Sequence, residues 1–209
     1  MGVSADAPRL RKSAKQKHAA ILKAAGRLFL KNGYTHTSMD AIALAAGVSK
    51  QTVYSYFTNK ELLFRCMIEE LCNLHTPSES FLADPQLPPQ EALLKISKGF
   101  MDTISSSIGL GVHRLAVAEA PRHPRVAELF YQSGPQKMQN LLERYLERQV
   151  ALGNFRIENV ECAASHFFGM LKSWYQMRML LKLKPQPTKA EIDKHIKYTV
   201  EVFYQLYSV

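Results

Sequence analysis

The chain has 209 residues, of which 46% are hydrophobic and 22% are charged, and its formal net charge is +9. This length allows one domain or two small ones, and the hydrophobic content is ample for a packed core. No uninterrupted apolar stretch is long enough to span a bilayer, and the N-terminus lacks the apolar core of a signal peptide. We therefore exclude membrane-spanning and secreted classes and expect a soluble, cytoplasmic protein.

Most of the positive charge lies in the first 60 residues. They hold ten Lys and Arg residues against two Asp residues, a net charge of +8, which leaves +1 for the rest of the chain. Basic charge confined to one segment is typical of a surface that binds a polyanion such as nucleic acid. A solvated, soluble face gives the same composition, so charge alone leaves both interpretations open.

The first 13 residues are polar and basic, and they include Pro8. We expect a disordered basic arm over 1–13, of the kind that adds phosphate or minor-groove contacts in some DNA-binding modules. A first helix is predicted from about Ser13 to Gly33. Its apolar residues recur at helical spacing: Ile21, Leu22, Ala25, Leu28 and Phe29.

A helix-turn-helix is predicted shortly after this first helix. Thr37 and Ser38 can accept hydrogen bonds from the free amides of a short helix, and Gly47 can adopt the left-handed conformation that ends it. Ser49 then caps a second helix that runs to about Phe57. In a helix-turn-helix the second helix enters the DNA major groove. Any all-helical protein contains short capped helices, so the pattern alone also admits a purely structural interpretation.

The second helix of this pair has a polar side and an apolar side. Val53 and Phe57 lie one turn apart and can face inward. The other side carries hydroxyl, amide and ammonium groups, which serve both phosphate oxygens and base edges. A further capping box over 58–61 begins the next helix, which we expect to end near Leu74.

The run GVSKQTVYSYFTNKEL, from Gly47 to Leu62, resembles the signature of the TetR family of transcriptional regulators, and the helix that ends at Gly33 is similar to the first helix of that family. The resemblance covers about the first third of the chain. It implies a bacterial repressor with an N-terminal DNA-binding domain and a helical C-terminal domain that dimerises and binds a small molecule. The residues that it places against DNA are Thr37, Ser38, Ser49, Lys50, Gln51, Thr52, Tyr54, Tyr56 and Lys60.

A proline-rich segment from Thr76 to Pro89 cannot form one continuous helix. We therefore place the domain boundary just before it. The predicted domains are a helix-turn-helix DNA-binding domain with its linking helix over 14–75 and, as the resemblance implies, an effector-binding and dimerisation domain over 76–209.

Helical patterns fill this second domain. They predict helices from Pro89 to about Ile108, over 110–119 and 125–132, from Pro135 to about Leu152, from Val160 to about Lys184, and from Thr188 to about Tyr207. Gly109 and Gly111 are expected to break or kink the chain. The sequence thus predicts an all-α fold of about nine or ten helices.

The last two helices are apolar on more than one side. One stripe of the first runs Val160, Ala164, Phe167, Leu171, Trp174, Arg178 and Leu181. Two apolar stripes per helix are too many for one small core, so we predict that both helices pair with the same helices of a second copy in a four-helix bundle. The resemblance implies the same homodimer. A monomer with an unusually apolar terminal hairpin is the alternative.

The chain shows none of the catalytic arrangements that a sequence can reveal. A nucleophile elbow, a His-Glu-x-x-His motif and a P-loop are all missing, and the seven histidines lack ligand spacing. We therefore expect neither an enzyme nor a protein with a metal or cofactor. Cys66, Cys72 and Cys162 lack zinc-site spacing, and we expect reduced, mostly buried thiols.

Wide apolar side chains are candidates for the walls of an effector cavity, although such residues also form ordinary cores. They are Phe100, Met101, Ile104, Phe168, Met170 and Trp174. We expect a DNA-binding regulator, a repressor that a small lipophilic effector releases from a palindromic double-stranded operator. A sequence-nonspecific nucleic-acid binder and a helical ligand-binding protein without a regulatory role are the alternatives.

Overall fold

The computed structural model describes the backbone from residue 6 to residue 209 and the side chains from residue 14. Eleven α-helices lie in this part of the chain, and the predicted all-α class is confirmed. They are α1 (Asp6–Asn32), α2 (Met39–Ala46), α3 (Lys50–Tyr56), α4 (Lys60–Asn73), α5 (Glu79–Leu82), α6 (Pro89–Ser105), α7 (Ser107–Glu119), α8 (Pro124–Ser133), α9 (Pro135–Ala151), α10 (Val160–Leu180) and α11 (Lys189–Tyr207). None of these described helices combines the length and apolar character that a membrane crossing needs.

The arm predicted over 1–13 lies partly outside the described residues. From Asp6 onward the backbone is helical and belongs to α1. Pro8 falls in the first turn of that helix, where a missing N–H removes no intrahelical hydrogen bond, so a helix is compatible with the proline.

Compactness divides the chain into two units. The first contains 1–69 and 111–130, and the second contains 70–110 and 131–209. Helices α4 and α7 each begin in one unit and end in the other. The division of the chain into functional domains at 75 and 76 stays a prediction.

The first unit is built on aromatic packing among α1, α4 and the loop after α1. Phe29 and Phe64 are fully buried, and their rings meet edge to face with centroids 5.4 Å apart. The ring of Tyr34 stacks on Phe29 at the same separation. Ile42 of α2 and Val53 of α3 are also fully buried, so both helices of the helix-turn-helix are anchored through apolar side chains.

The second unit has a core shared by α6, α9, α10 and α11. The rings of Phe167 and Phe203 lie 4.8 Å apart, which joins α10 to α11. A Cβ atom at Gly99 of α6 would lie 2.0 Å from the carbonyl oxygen of His75. Only glycine therefore permits this approach of the backbone at 75 to α6.

The predicted break at Gly109 and Gly111 is wrong, because α7 runs through both glycines. The chain turns at Ser106 instead, where ψ is 152°. A Cβ atom at Gly109 would lie 2.1 Å from the carbonyl oxygen of Thr103, and one at Gly111 would lie 2.8 Å from the side chain of Leu30. Close packing, not flexibility, accounts for these two glycines.

Helix α10 is interrupted at Ser173, which has a φ of 38° and a ψ of −154°. Before this residue the predicted stripe is buried at Ala164, Phe167 and Leu171. Beyond it, Trp174 is 79% exposed and Leu181 is 60% exposed. Within this chain the predicted apolar stripe is therefore buried only on the part of α10 that precedes the interruption.

The three cysteines differ from the expectation. Cys66 and Cys72 of α4 are half-buried and Cys162 of α10 is exposed. The prediction of mostly buried thiols is thus wrong for Cys162, which lies in the first turn of α10 beside the solvent.

Candidate nucleic-acid interface

The helix-turn-helix forms through local capping interactions. Ser38 accepts a hydrogen bond from the amide of Ala41 and begins α2, and Ser49 accepts one from the amide of Thr52 and begins α3, both at 3.1 Å. Between them Gly47 ends α2 with a φ of 67° and donates its N–H to the carbonyl groups of Ala43 and Leu44. The predicted caps at Ser38 and Ser49, the turn at Gly47 and the helix boundaries are confirmed.

Helix α3 exposes a polar face. Val53 and Phe57 are buried, whereas Lys50, Gln51, Tyr54 and Ser55 are exposed. The helix carries no acidic residue. A short polar helix without carboxylates, held by apolar residues on its inner side, has the chemistry required for phosphate and base-edge contacts.

Lys50 forms an ion pair that the sequence analysis missed. Its Nζ atom lies 2.9 Å from Asp40 of α2, and both side chains are 61% exposed. The hydrogen bond to Asp40 raises the pKa of Lys50. In the sequence Asp40 fits the pattern of a capping box at the start of α2. Because it lies ten residues from Lys50, no helical spacing predicts the ion pair between them.

Thr37 lies in the interior instead of on the exposed face. Its side chain is fully buried, and its hydroxyl donates a 2.8 Å hydrogen bond to the carbonyl oxygen of Gly33. Thr37 therefore closes the end of α1, and Ser38 alone caps α2.

Tyr56 has a similar internal contact. Its half-buried side chain donates a hydrogen bond to the carbonyl oxygen of Ala14, 3.2 Å away, and its ring lies 5.9 Å from that of His18. Both partners belong to α1, so Tyr56 holds α3 against the first helix.

Lys60 supports the loop that follows α1. Its Nζ atom donates to the carbonyl oxygen of Tyr34 at 2.9 Å and to that of Thr35 at 3.4 Å, and it lies 4.4 Å from the centre of the Tyr34 ring. Burial lowers the pKa of Lys60, and the nearby charge of Glu119 opposes that shift. Lys60 is thus a structural residue of the loop as well as a predicted DNA contact.

Glu119, at the end of α7, binds the same loop. One carboxylate oxygen accepts from the amide of Tyr34 at 3.2 Å, and the other accepts from the hydroxyl of Thr35 at 3.4 Å. Burial, with the charge of Glu61 as a second cause, raises the pKa of Tyr34 to about 12. Because Glu119 lies 85 residues from Tyr34 in sequence, no local pattern reveals this contact.

Two of the six predicted effector residues line one cavity in the second unit. Phe100 of α6 and Phe168 of α10, with ring centroids 4.5 Å apart, form part of a cavity of about 270 Å³. Gln139, Glu161 and Lys172 add polar groups to its wall.

The other four predicted effector residues lie elsewhere. Met101 is almost fully buried and Ile104 is half-buried, both on α6, and neither is among the residues that line this cavity. Met170 lines a separate depression between α10 and α11. Trp174 is exposed to solvent.

Two families match most of the chain. Residues 21–67 match the family described as bacterial regulatory proteins of the tetR type, and residues 91–209, more than half of the chain, match the C-terminal domain of AefR-like transcriptional repressors. Among curated proteins, the fatty acid metabolism regulator of Bacillus subtilis is 31% identical over 107 residues, which are 51% of this chain and 52% of that protein. The uncharacterised regulator YhgD of the same organism is 26% identical over 64% of this chain and 66% of its own length. The chain thus spans between half and two thirds of these two relatives.

Solved structures match over nearly the full length. A TetR-family regulator from Mesorhizobium loti has a TM-score of 0.77 and 28% identity, with 94% of this chain and 98% of that chain covered. The flavonoid-responsive regulator FrrA has a TM-score of 0.72 and 30% identity, with 93% and 98% covered.

Proposed function

We propose that the chain, which belongs to the TetR family of transcriptional regulators, is a repressor that binds a palindromic operator as a homodimer. In this proposal the protein leaves the operator when a small lipophilic effector binds to it. The observation that carries this proposal is the exposed face of α3, which is polar and free of carboxylates. Val53 and Phe57 are buried on the opposite side and anchor the helix. In this role α3 lies in the major groove of duplex DNA.

The proposed DNA contacts differ in strength of support. Gln51 and Tyr54 are exposed on α3 and are available to an incoming duplex, and Lys50 is exposed beside them but pairs with Asp40. Ser38 and Ser49 lie at the first turns of α2 and α3, where free amides and the helix dipole favour a phosphate. Internal hydrogen bonds already engage Thr37, Tyr56 and Lys60. We therefore propose that these three residues stabilise the helix-turn-helix.

We propose α10 and α11 as the homodimer interface. Large apolar side chains are exposed on both helices, among them Trp174, Met177 and Leu206. A depression between the two helices, lined by Gly169 and Met170, offers space for side chains of a second copy. Exposed apolar surface of this kind on a regulator supports burial in a symmetric bundle.

The effector cavity is proposed at Phe100 and Phe168. Two aromatic rings in a cavity of about 270 Å³ favour a planar aromatic or an amphipathic ligand, and the polar groups of Glu161 and Lys172 favour hydrogen bonding at one side. FrrA is described as flavonoid-responsive, which supports a planar aromatic ligand. The relative from Bacillus subtilis is described as a regulator of fatty acid metabolism, which supports an amphipathic ligand with an alkyl chain.

Release from the operator requires that effector binding change the positions of the two copies of α3. Helix α4 runs from the helix-turn-helix unit into the unit that holds the cavity, and α7 ends at Glu119, which binds the loop before α2. A ligand that favours another position of either helix would change the separation of the two copies of α3 and so weaken operator binding.

The proposal is tested by selecting DNA from a random pool with the full-length protein. The expected result is a palindromic consensus with two half-sites about one helical turn apart. Fluorescence anisotropy on that DNA, with naringenin and with a long-chain fatty acid as separate probes, then identifies which ligand class lowers affinity. Recovered DNA without a consensus, bound with an affinity set only by salt, would instead support a sequence-nonspecific binder.

A further inference from the structure

Helix α10 contains a residue whose backbone is far from helical. Ser173 has a φ of 38° and a ψ of −154°, and it is the only residue inside α10 with non-helical angles. A positive φ brings the Cβ atom of any residue other than glycine into steric conflict with its own backbone. Such a conformation persists only where the surrounding structure holds it. The break in α10 therefore depends on contacts from the rest of the second unit.

His195 of α11 supplies such a contact. Its Nε2 atom lies 3.0 Å from the carbonyl oxygen of Met170 and 3.2 Å from that of Leu171. Carbonyl oxygens only accept hydrogen bonds, so Nε2 carries the hydrogen and donates it to both. In a continuous helix these two carbonyl groups accept from the amides four residues later, which lie beyond the break. A side chain that takes the place of helical amides is a known cause of a sharp kink.

Large side chains beyond the break are apolar and exposed. Trp174 is 79% exposed and Leu181 is 60% exposed. In a continuous helix Trp174 would share one face with Phe167 and Leu171, which are fully buried. It would then turn toward the side of α10 that is already buried. Removal of apolar surface from water thus favours a continuous helix, whereas the contacts of His195 favour the broken one.

We infer that Ser173 and His195 form a latch that holds α10 in two segments and gives this helix a second, continuous state. In the broken state His195 donates to the two carbonyl groups before the break. In the continuous state helical amides bind those carbonyl groups, Ser173 is helical and Trp174 faces the buried side. Lys172, beside the latch, lines the cavity proposed for the effector, and α10 belongs to the proposed homodimer interface. This link rests on the proposed function: through the latch, a ligand at Lys172 changes the surface that α10 offers to a second copy.

Nuclear magnetic resonance of the full-length protein, without DNA or ligand, tests the latch. Trp174 is the only tryptophan in the chain, so its indole N–H gives one signal for each state of α10. His195→Phe removes the donor and keeps a ring, and it should raise the ratio of continuous to broken state at least about tenfold. Adding Ser173→Ala should raise that ratio further, because alanine favours a helix and disfavours a positive φ. Adding Ser173→Gly instead should lower the ratio again, because glycine adopts a positive φ readily.

His36→Phe, at an exposed histidine of the loop after α1, is the matched control and should leave the parent signal unchanged. A helical Cα chemical shift at residue 173 identifies the continuous state, and its indole signal should have the same position in His195→Phe and in the double variant with alanine. The inference is overturned if the alanine double variant shows only the parent signal, if both double variants give the same spectrum, or if residue 173 stays non-helical in all of them. These measurements involve no operator and no effector, so their outcome is independent of the proposed repressor function.

Discussion

Tyr54 lies on the exposed face of α3, with 43% of its surface accessible to solvent. Tyr54→Ala is expected to weaken operator binding about ten- to a hundredfold, the effect of losing one good base or phosphate contact, and to leave the unfolding temperature unchanged. Fluorescence anisotropy and thermal unfolding measure the two quantities. Tyr131→Ala, at an exposed tyrosine of α8, is the matched control and should bind as the parent protein does. Normal binding by Tyr54→Ala would remove this residue from the interface.

Asp40 places a negative charge beside Lys50, on the side of the helix-turn-helix that we assign to DNA. Asp40→Asn removes that charge and releases the lysine for a phosphate. Operator affinity should rise several-fold at low salt, and the dependence of log K on log salt should steepen by about one phosphate contact. Lys50→Gln should have the opposite effect on both quantities. If Asp40→Asn weakens binding, Asp40 contributes to the interface directly.

Lys60 illustrates how a single residue can serve two purposes. Its contacts with the carbonyl groups of Tyr34 and Thr35 mean that Lys60→Ala removes loop contacts along with any phosphate contact. Weaker DNA binding by that variant therefore has two explanations.

At the scale of helices, Glu119 ties the end of α7 to the loop before α2. Glu119→Ala leaves the partly buried amide of Tyr34 without its acceptor, which should lower the free energy of unfolding by about 1–3 kcal/mol. Urea unfolding measures the change. Glu158→Ala, at an exposed carboxylate in the loop before α10, is the control and should change stability by less than about 0.5 kcal/mol. An unchanged stability for Glu119→Ala would show that this contact does not hold the loop.

Gly169 lies on the exposed side of α10, and a Cβ atom there meets nothing within 4 Å. Gly169→Glu therefore fits the single chain, but in the proposed bundle it brings a charge from each copy into the interface. The variant should stay folded and become monomeric in analytical ultracentrifugation. Lys95→Glu, on the exposed side of α6, should remain dimeric. A Gly169→Glu variant that dimerises normally would place the interface elsewhere.

Helix boundaries were predictable because caps are local. Ser38, Gly47 and Ser49 each act within four residues of their own position, and Thr188 with Glu191 forms a capping box at the start of α11. Gly109 and Gly111 were misjudged because their role depends on how closely Thr103 and Leu30 approach, which is a property of packing.

The candidate site was predictable only in its exposed part. The polarity of α3 is visible in seven consecutive residues. The inward direction of Thr37 and the contacts of Lys60 and Glu119 depend on backbone atoms in the loop after α1, and side-chain identity alone does not locate those atoms.

For the whole molecule, charge and apolar surface lie in different parts of the chain. The first 60 residues carry a net charge of +8, and many of the large exposed apolar side chains, Trp174, Met177 and Leu206 among them, belong to α10 and α11. This division suits a protein that binds a polyanion with one segment and a second copy with the other. Two copies of α3 then reach two half-sites only if the half-sites face the same side of the duplex.

The most direct measurement compares the affinity of the full-length protein for its selected operator and for the same operator with 5 base pairs inserted between the half-sites. The insertion turns one half-site by about half a helical turn, since the repeat is about 10.5 base pairs. We predict that it weakens binding at least about a hundredfold. Equal affinity for both DNAs and for an unrelated duplex would contradict a dimer that holds two copies of α3 in the major groove.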